Sequence, residues 1–308
     1  MNMEQLSAKY NKLLGHIFFS NYFYGLCAVA LSVEATLQQR IPLNGILYFF
    51  LIFITTVLYY GYPYIRKCSA ISSNPRTNWY IRHYKLMRWN QIIIAIILLV
   101  LLVLFLWNYW KVVLKITSGQ WLLIFIFPMV AALYYGINFL SGKYNLRKIG
   151  WLKPFIIGFT WTGMVTVYPV LFYDIINNLD YIPGRVTVLL FLKNFMFITV
   201  LCIMFDIKDY AADYVSRLKT FVVKIGLRKT IFCILLPLSL LGLGSFIYYA
   251  AGHQFHPAKI LLNIIPFVLL VIVSFSLCRR RSIMYYLVII DGLMLIKAVC
   301  GSIAMTFF

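Results

Sequence analysis

Three carboxylates fall within eight consecutive positions of this chain, in the run Asp206-Ile-Lys-Asp209-Tyr-Ala-Ala-Asp213. They are three of only eight acidic residues, the others being Glu4, Glu34, Asp174, Asp180 and Asp291. On a helix turning about 100° per residue, offsets of 0, 3 and 7 hold all three side chains within about 60° of one another. Like charges on one stripe repel, so a cation belongs beside them. Oxygen ligands with phosphate as company suit Mg²⁺, which takes one or two carboxylates and fills its shell with substrate phosphate. A solvated acidic face is the usual reading of such a cluster. The scarcity of acid elsewhere in this chain favours a site.

The elements that must position these aspartates are set by composition. The chain has 308 residues, 63% of them hydrophobic and 12% charged, whereas soluble domains average about 45–50% and about 25%. Apolar runs long enough to cross a bilayer recur throughout. In lipid the backbone must satisfy its own hydrogen bonds, and runs of this length exclude a barrel. The sequence predicts an all-α integral membrane protein of nine spans, at about 16–33, 43–62, 90–108, 120–139, 154–173, 185–205, 230–250, 259–278 and 283–304. Residues 1–15 read as an amphipathic segment on the membrane surface. Lys9 and Lys12 before an apolar run also resemble a signal peptide, but eight further spans favour a retained first helix. The six cysteines form no C-x-x-C pair and read as small apolar residues.

A net charge of +20 would suggest nucleic acid in a soluble protein. Here the charge is sorted by the spans. Lys and Arg number 21 in the N-terminal tail and the even-to-odd loops, against five on the other side. The bias places the N-terminus in the cytoplasm and the C-terminus outside, in a bacterial-type inner membrane. Attraction to anionic lipid explains part of it. It does not explain why twelve basic residues gather in the loops after spans 2 and 6, the second of which holds the aspartates. These equivalent positions suggest one polytopic domain, 1–308, built of two four-helix halves (16–139 and 154–278) with a ninth helix at 283–304.

Nine spans with D-x-x-D-x-x-x-D after the sixth, then Arg217-Leu-Lys219-Thr220 and Gly226, resemble the UbiA superfamily of membrane prenyltransferases. Lys153 opening span 5, with Trp161 inside it, fits the same pattern. The resemblance implies condensation of an isoprenoid diphosphate with a hydrophobic, often aromatic, acceptor in a cavity open to lipid. It makes Asp206, Asp209 and Asp213 the catalytic Mg²⁺ ligands. Lys153, Arg217 and Lys219 become diphosphate contacts, with Arg66 and Lys67 joining from the loop after span 2. Metal and cationic side chains neutralise the leaving diphosphate, while an apolar pocket shields the allylic cation from water. Arg217 would fall about 20° from Asp206 if the helix ran that far.

The family's first aspartate-rich motif, after span 2, is missing. That place holds Tyr59-Tyr-Gly-Tyr-Pro-Tyr-Ile-Arg66-Lys67, and no carboxylate occurs between Glu34 and Asp174. The alternative is therefore a non-catalytic, lipid-binding relative whose aspartates pair with loop arginines. Asp291, Lys193 and Asn21 are cavity candidates. Asp291 lies deep in span 9, where an ionisable group faces a cavity or a partner, and Lys193 or Lys297 could be that partner. A transporter with Asp291 and Lys193 as a charge relay is a third reading. His253-x-x-His256 lacks a third ligand for a metal site. The expected partners are membrane lipid, a prenyl diphosphate and a hydrophobic acceptor, with no nucleic acid.

Overall fold

The computed structural model describes residues 15–66, 75–135, 149–180, 183–252 and 255–308, and these are helical with no strand. The main helices are α1 (Tyr22–Gln38), α2 (Ile46–Arg66), α3 (Pro75–Arg82), α4 (Tyr84–Val113), α5 (Ser118–Tyr135), α6 (Lys153–Ile176), α7 (Arg185–Val215), α8 (Leu227–Gly252), α9 (Pro257–Ser276) and α10 (Ile283–Phe307). Among the described residues, seven of them (α2, α4 and α6–α10) are long and apolar enough to cross a membrane, which makes this a multi-pass membrane protein.

Among the described residues, the helices at the two remaining expected spans, α1 and α5, are shorter. α5, described as far as Tyr135, has 18 residues and runs through Pro128. The first span breaks at Asn21, whose φ is 71°, a left-handed conformation that asparagine tolerates better than most residues. α1 therefore starts at Tyr22 and runs to Gln38, so that Glu34 lies inside the helix rather than beyond the end of a span.

The chain forms two compact units. The first comprises Met1–Val29 with Asn44–Leu114, and the second Ala30–Leu43 with Lys115–Phe308. In the first unit α2 packs on α4 around Ile54, Val57 and Ile94, with Tyr22 and Phe53 against that cluster. In the second, α7 is the central helix and packs on α6 and α8, while α9 packs on α10. Three of the second unit's helices contain a wide π-helical turn, at Gly163–Val167 in α6, Ile231–Leu235 in α8 and Tyr286–Ile290 in α10. Such a turn inserts one residue and redirects the faces beyond it, and it occurs often at functional sites.

Candidate functional site

α7 is one unbroken helix of 31 residues and carries all three aspartates, as the spacing predicts. Their environments differ. Asp206 is fully buried, and its Oδ1 accepts a 2.6 Å bond from Lys153 Nζ. Its Oδ2 is buried and has no hydrogen-bond partner among the described residues. Asp213 is also buried, two turns further along. Asp209 stands at the rim, its side chain 39% exposed and 3.3 Å from Lys208 Nζ. Lys153 is the first residue of α6, followed by Pro154. An ammonium is unfavourable at a helix N-terminus, and the Asp206 carboxylate offsets that cost.

Arg217 does not continue the stripe, because α7 ends at Val215. Its φ is 57°, and the chain reverses there in a Schellman cap. Arg217 N–H donates to the Tyr214 carbonyl at 3.1 Å and Leu218 N–H to the Asp213 carbonyl at 2.8 Å. The Arg217 side chain is exposed, as is that of Lys219. Thr220 is buried. The turn lies against Gly150, where a Cβ would come within 2.6–2.8 Å of the Lys219 and Thr220 backbone. Gly150 thus brings the Lys219–Thr220 pair beside the start of α6, three residues before Lys153. In the sequence Gly150 carries no signal beyond its position just ahead of Lys153. Arg66 closes α2; Lys67 lies outside the described residues, as do the surface segment 1–14 and His253. His256 caps α9 by accepting from Ala258 N–H.

One turn inward from Asp206, Cys202 is within electrostatic reach of Asp206, Lys153 and Asp291. The Phe205 and Tyr286 rings are 5.7 Å apart. The π-helical turn of α10 therefore packs on α7 at the residue next to Asp206, and Asp291, buried just beyond that turn, is in the neighbourhood of Cys202.

The two buried lysines meet at Glu34. Lys297 Nζ lies 2.5 Å from Glu34 Oε2 and Lys193 Nζ 3.7 Å from Glu34 Oε1. Gln38 Nε2 donates to Glu34 Oε1 at 2.7 Å, and Lys193 donates to Asn263 Oδ1 at 2.9 Å and Gln38 Oε1 at 3.2 Å. Gly301 makes room for the carboxylate, since a Cβ there would fall 2.5 Å from Glu34 Cγ. α1 extends to Gln38 and so carries Glu34, which the hydropathy of the first span leaves outside, into the bundle beside both lysines. Lys193 is 13 residues from Asp206, about 20 Å along α7, so this network is separate from the acidic stripe.

In the first unit, Asn21 is fully buried. It donates to Tyr80 Oη at 2.9 Å and accepts from Arg76. The Arg76 guanidinium lies 4.7 Å from the Tyr64 ring centroid, and Tyr64 stacks on Tyr80. Burial pushes the Tyr80 hydroxyl up to about 12. Asn21 thus fixes a polar core between α1, α2 and α3.

Among the described residues, no three His, Cys, Asp or Glu side chains converge as a complete ligand set for a metal ion. What the site offers is the open Oδ2 of Asp206 with Asp213 on the same helix. That donor chemistry fits a hard dication taking one or two carboxylates and completing its shell with phosphate.

No protein-family model matches the chain, and no curated protein matches it in sequence. Among solved structures it is similar to a digeranylgeranylglyceryl phosphate synthase in membranes. The two share 15% identity at a TM-score of 0.56, with 97% of this chain and 100% of the other covered. At that identity the likeness establishes a shared fold, the all-helical membrane fold built here around α7.

Proposed function

We propose that the chain is a UbiA-like membrane prenyltransferase, moving an isoprenoid group from its diphosphate to a hydrophobic acceptor with Mg²⁺. The observation that carries this reading is the Lys153–Asp206 contact at the buried end of the acidic stripe, in a fold shared with digeranylgeranylglyceryl phosphate synthase. Mg²⁺ bound there would supply the positive charge that makes diphosphate a competent leaving group. Asp206 and Asp213 would hold it, with Asp209 joining from the rim. Lys153 would turn from Asp206 to a diphosphate oxygen, and Lys219, held near by Gly150, would approach from the open side. The aromatic side chains between α6 and α7, among them Phe155, Phe159, Phe191 and Phe195, would line the isoprenoid's path and exclude water. The charge bias supports a cytoplasmic N-terminus and an outer C-terminus, which would open the site to the cytoplasm.

A second reading draws on the same ion pair. With Asp206 already neutralised by Lys153 and no carboxylate between Glu34 and Asp174, the chain would be a lipid-binding relative without diphosphate chemistry. Binding of a long-chain prenyl diphosphate to the purified protein, with and without Mg²⁺, separates the two. The transferase reading expects Mg²⁺-dependent binding that Asp206→Asn/Asp209→Asn abolishes. Absence of binding at every Mg²⁺ concentration by folded protein would select the second reading.

A further inference from the structure

The Glu34 network holds one carboxylate for two buried ammonium groups, Lys193 and Lys297. With both lysines protonated the network carries one positive charge more than its carboxylate balances, in surroundings where such a charge is costly. Lys193 also borders a narrow cavity between α7 and α8, walled by Gln38, Ser245, Phe246, Tyr249 and aliphatic side chains of α7. Its free volume of about 10 Å³ is room for one water-sized atom. Further cations gather at this end of the second unit. Arg40, just beyond α1, is within electrostatic reach of Tyr249 and of Lys259, which opens α9. Asn263 accepts from Lys193 and donates to the Lys259 backbone carbonyl one turn back at 3.0 Å, while the Lys259 ammonium lies 4.8 Å from the Phe255 ring centroid. Val188 on α7 and Ile247 and Tyr248 on α8, each within two positions of a cavity-lining residue, are exposed on helices long and apolar enough to cross the membrane.

We propose that this crevice binds the anionic head of an acidic lipid, an oxyanion carried on an apolar tail. One oxygen enters beside Lys193, Arg40 and Lys259 attract the head at the mouth, and the tail lies along the aliphatic flank of α7. The bound anion balances the network's surplus charge, which neither a neutral lipid nor a hydrocarbon does. The site is about 20 Å from Asp206 along α7 and stands whether or not the chain transfers prenyl groups.

The test is retention of oleate by the full-length protein in neutral detergent, read by native mass spectrometry, with oleyl alcohol as the uncharged probe of equal tail length. Wild type should retain one oleate and no oleyl alcohol. Lys193→Met, which leaves a neutral Glu34–Lys297 pair and so preserves the fold, should weaken oleate binding at least about tenfold, the scale of one charge-assisted bond. Ser245→Leu fills the cavity and should abolish retention, and Arg40→Gln at the exposed mouth should weaken it about threefold to fivefold. Equal retention of oleate and oleyl alcohol overturns the proposal. So does unchanged oleate binding in Lys193→Met and Ser245→Leu. Competition by inorganic phosphate as strong as by oleate itself gives the oxyanion site to a free anion and overturns the lipid assignment.

Discussion

Lys297 and Glu34 stand 263 positions apart in the chain and meet at 2.5 Å, with Lys193 reaching the same carboxylate from α7 at 3.7 Å. The contact joins α1, α7 and α10 in the second unit. Removing the carboxylate alone leaves two ammonium groups buried against each other. Glu34→Gln should therefore lower stability by about 3–5 kcal/mol, and Glu34→Gln with Lys297→Met should recover part of that loss. Unfolding in detergent of both single variants and the double variant gives the coupling directly. Additive effects would mean that the pair carries no net interaction.

Gly150→Ala tests how the site is assembled. The added methyl meets backbone rather than a flexible side chain, so the Lys219–Thr220 turn must move away from the start of α6. Affinity for a prenyl diphosphate should fall about tenfold or more, the effect of displacing one charged contact. Thermal unfolding should change much less. Equal losses in affinity and stability would make Gly150 a packing residue without special bearing on the site.

Arg217 occupies a left-handed position that costs a side-chain-bearing residue roughly 1–2 kcal/mol. Arg217→Gly should stabilise the protein, by about 1 kcal/mol after allowing for the greater freedom of glycine in the unfolded chain. If the guanidinium also contacts diphosphate, the same variant binds more weakly while melting higher. Calorimetry and a binding titration on one preparation read both effects.

Alkaline pH should loosen the first unit. The Tyr80 hydroxyl ionises near 10 when unfolded and at about 12 when folded, with burial as the main cause. Its contribution is complete below pH 10 and disappears as pH rises toward 12, by up to about 3 kcal/mol. Tyr80→Phe lacks the ionisable group, so its unfolding free energy should fall less steeply than wild type between pH 10 and 12. Identical pH profiles would exclude Tyr80 as the group responsible.

The acidic stripe was legible because acid is scarce and its spacing is helical; a continuous α7 carries it as expected. Lys153 was legible through the family resemblance, although its partner in the structure is Asp206 itself. Arg217 was misplaced because helix periodicity says nothing of where a helix stops, and no glycine marks the cap. The Glu34 network was illegible for a different reason. Hydropathy ends the first span before Glu34, since a carboxylate scores against burial, and only tertiary pairing with two distant lysines reverses that cost. Gly150 and Gly301 matter through what approaches them, which no single-chain pattern encodes.

The π-helical turn at Tyr286–Ile290 sets the rotational phase of everything after it. One residue beyond regular α-helical winding turns the downstream faces by about 100°, and Lys297 and Gly301 both meet Glu34 from that rotated segment. The last helix thus counts residues from the Asp206 end so that its far half meets Glu34. Deleting a single residue within the turn would restore ordinary winding and leave composition almost untouched. It would also swing Lys297 toward lipid and strand the Glu34 carboxylate beside Lys193. Length in this segment is therefore under tighter constraint than residue identity, and related chains should tolerate substitutions between Tyr286 and Ile290 far more readily than insertions or deletions.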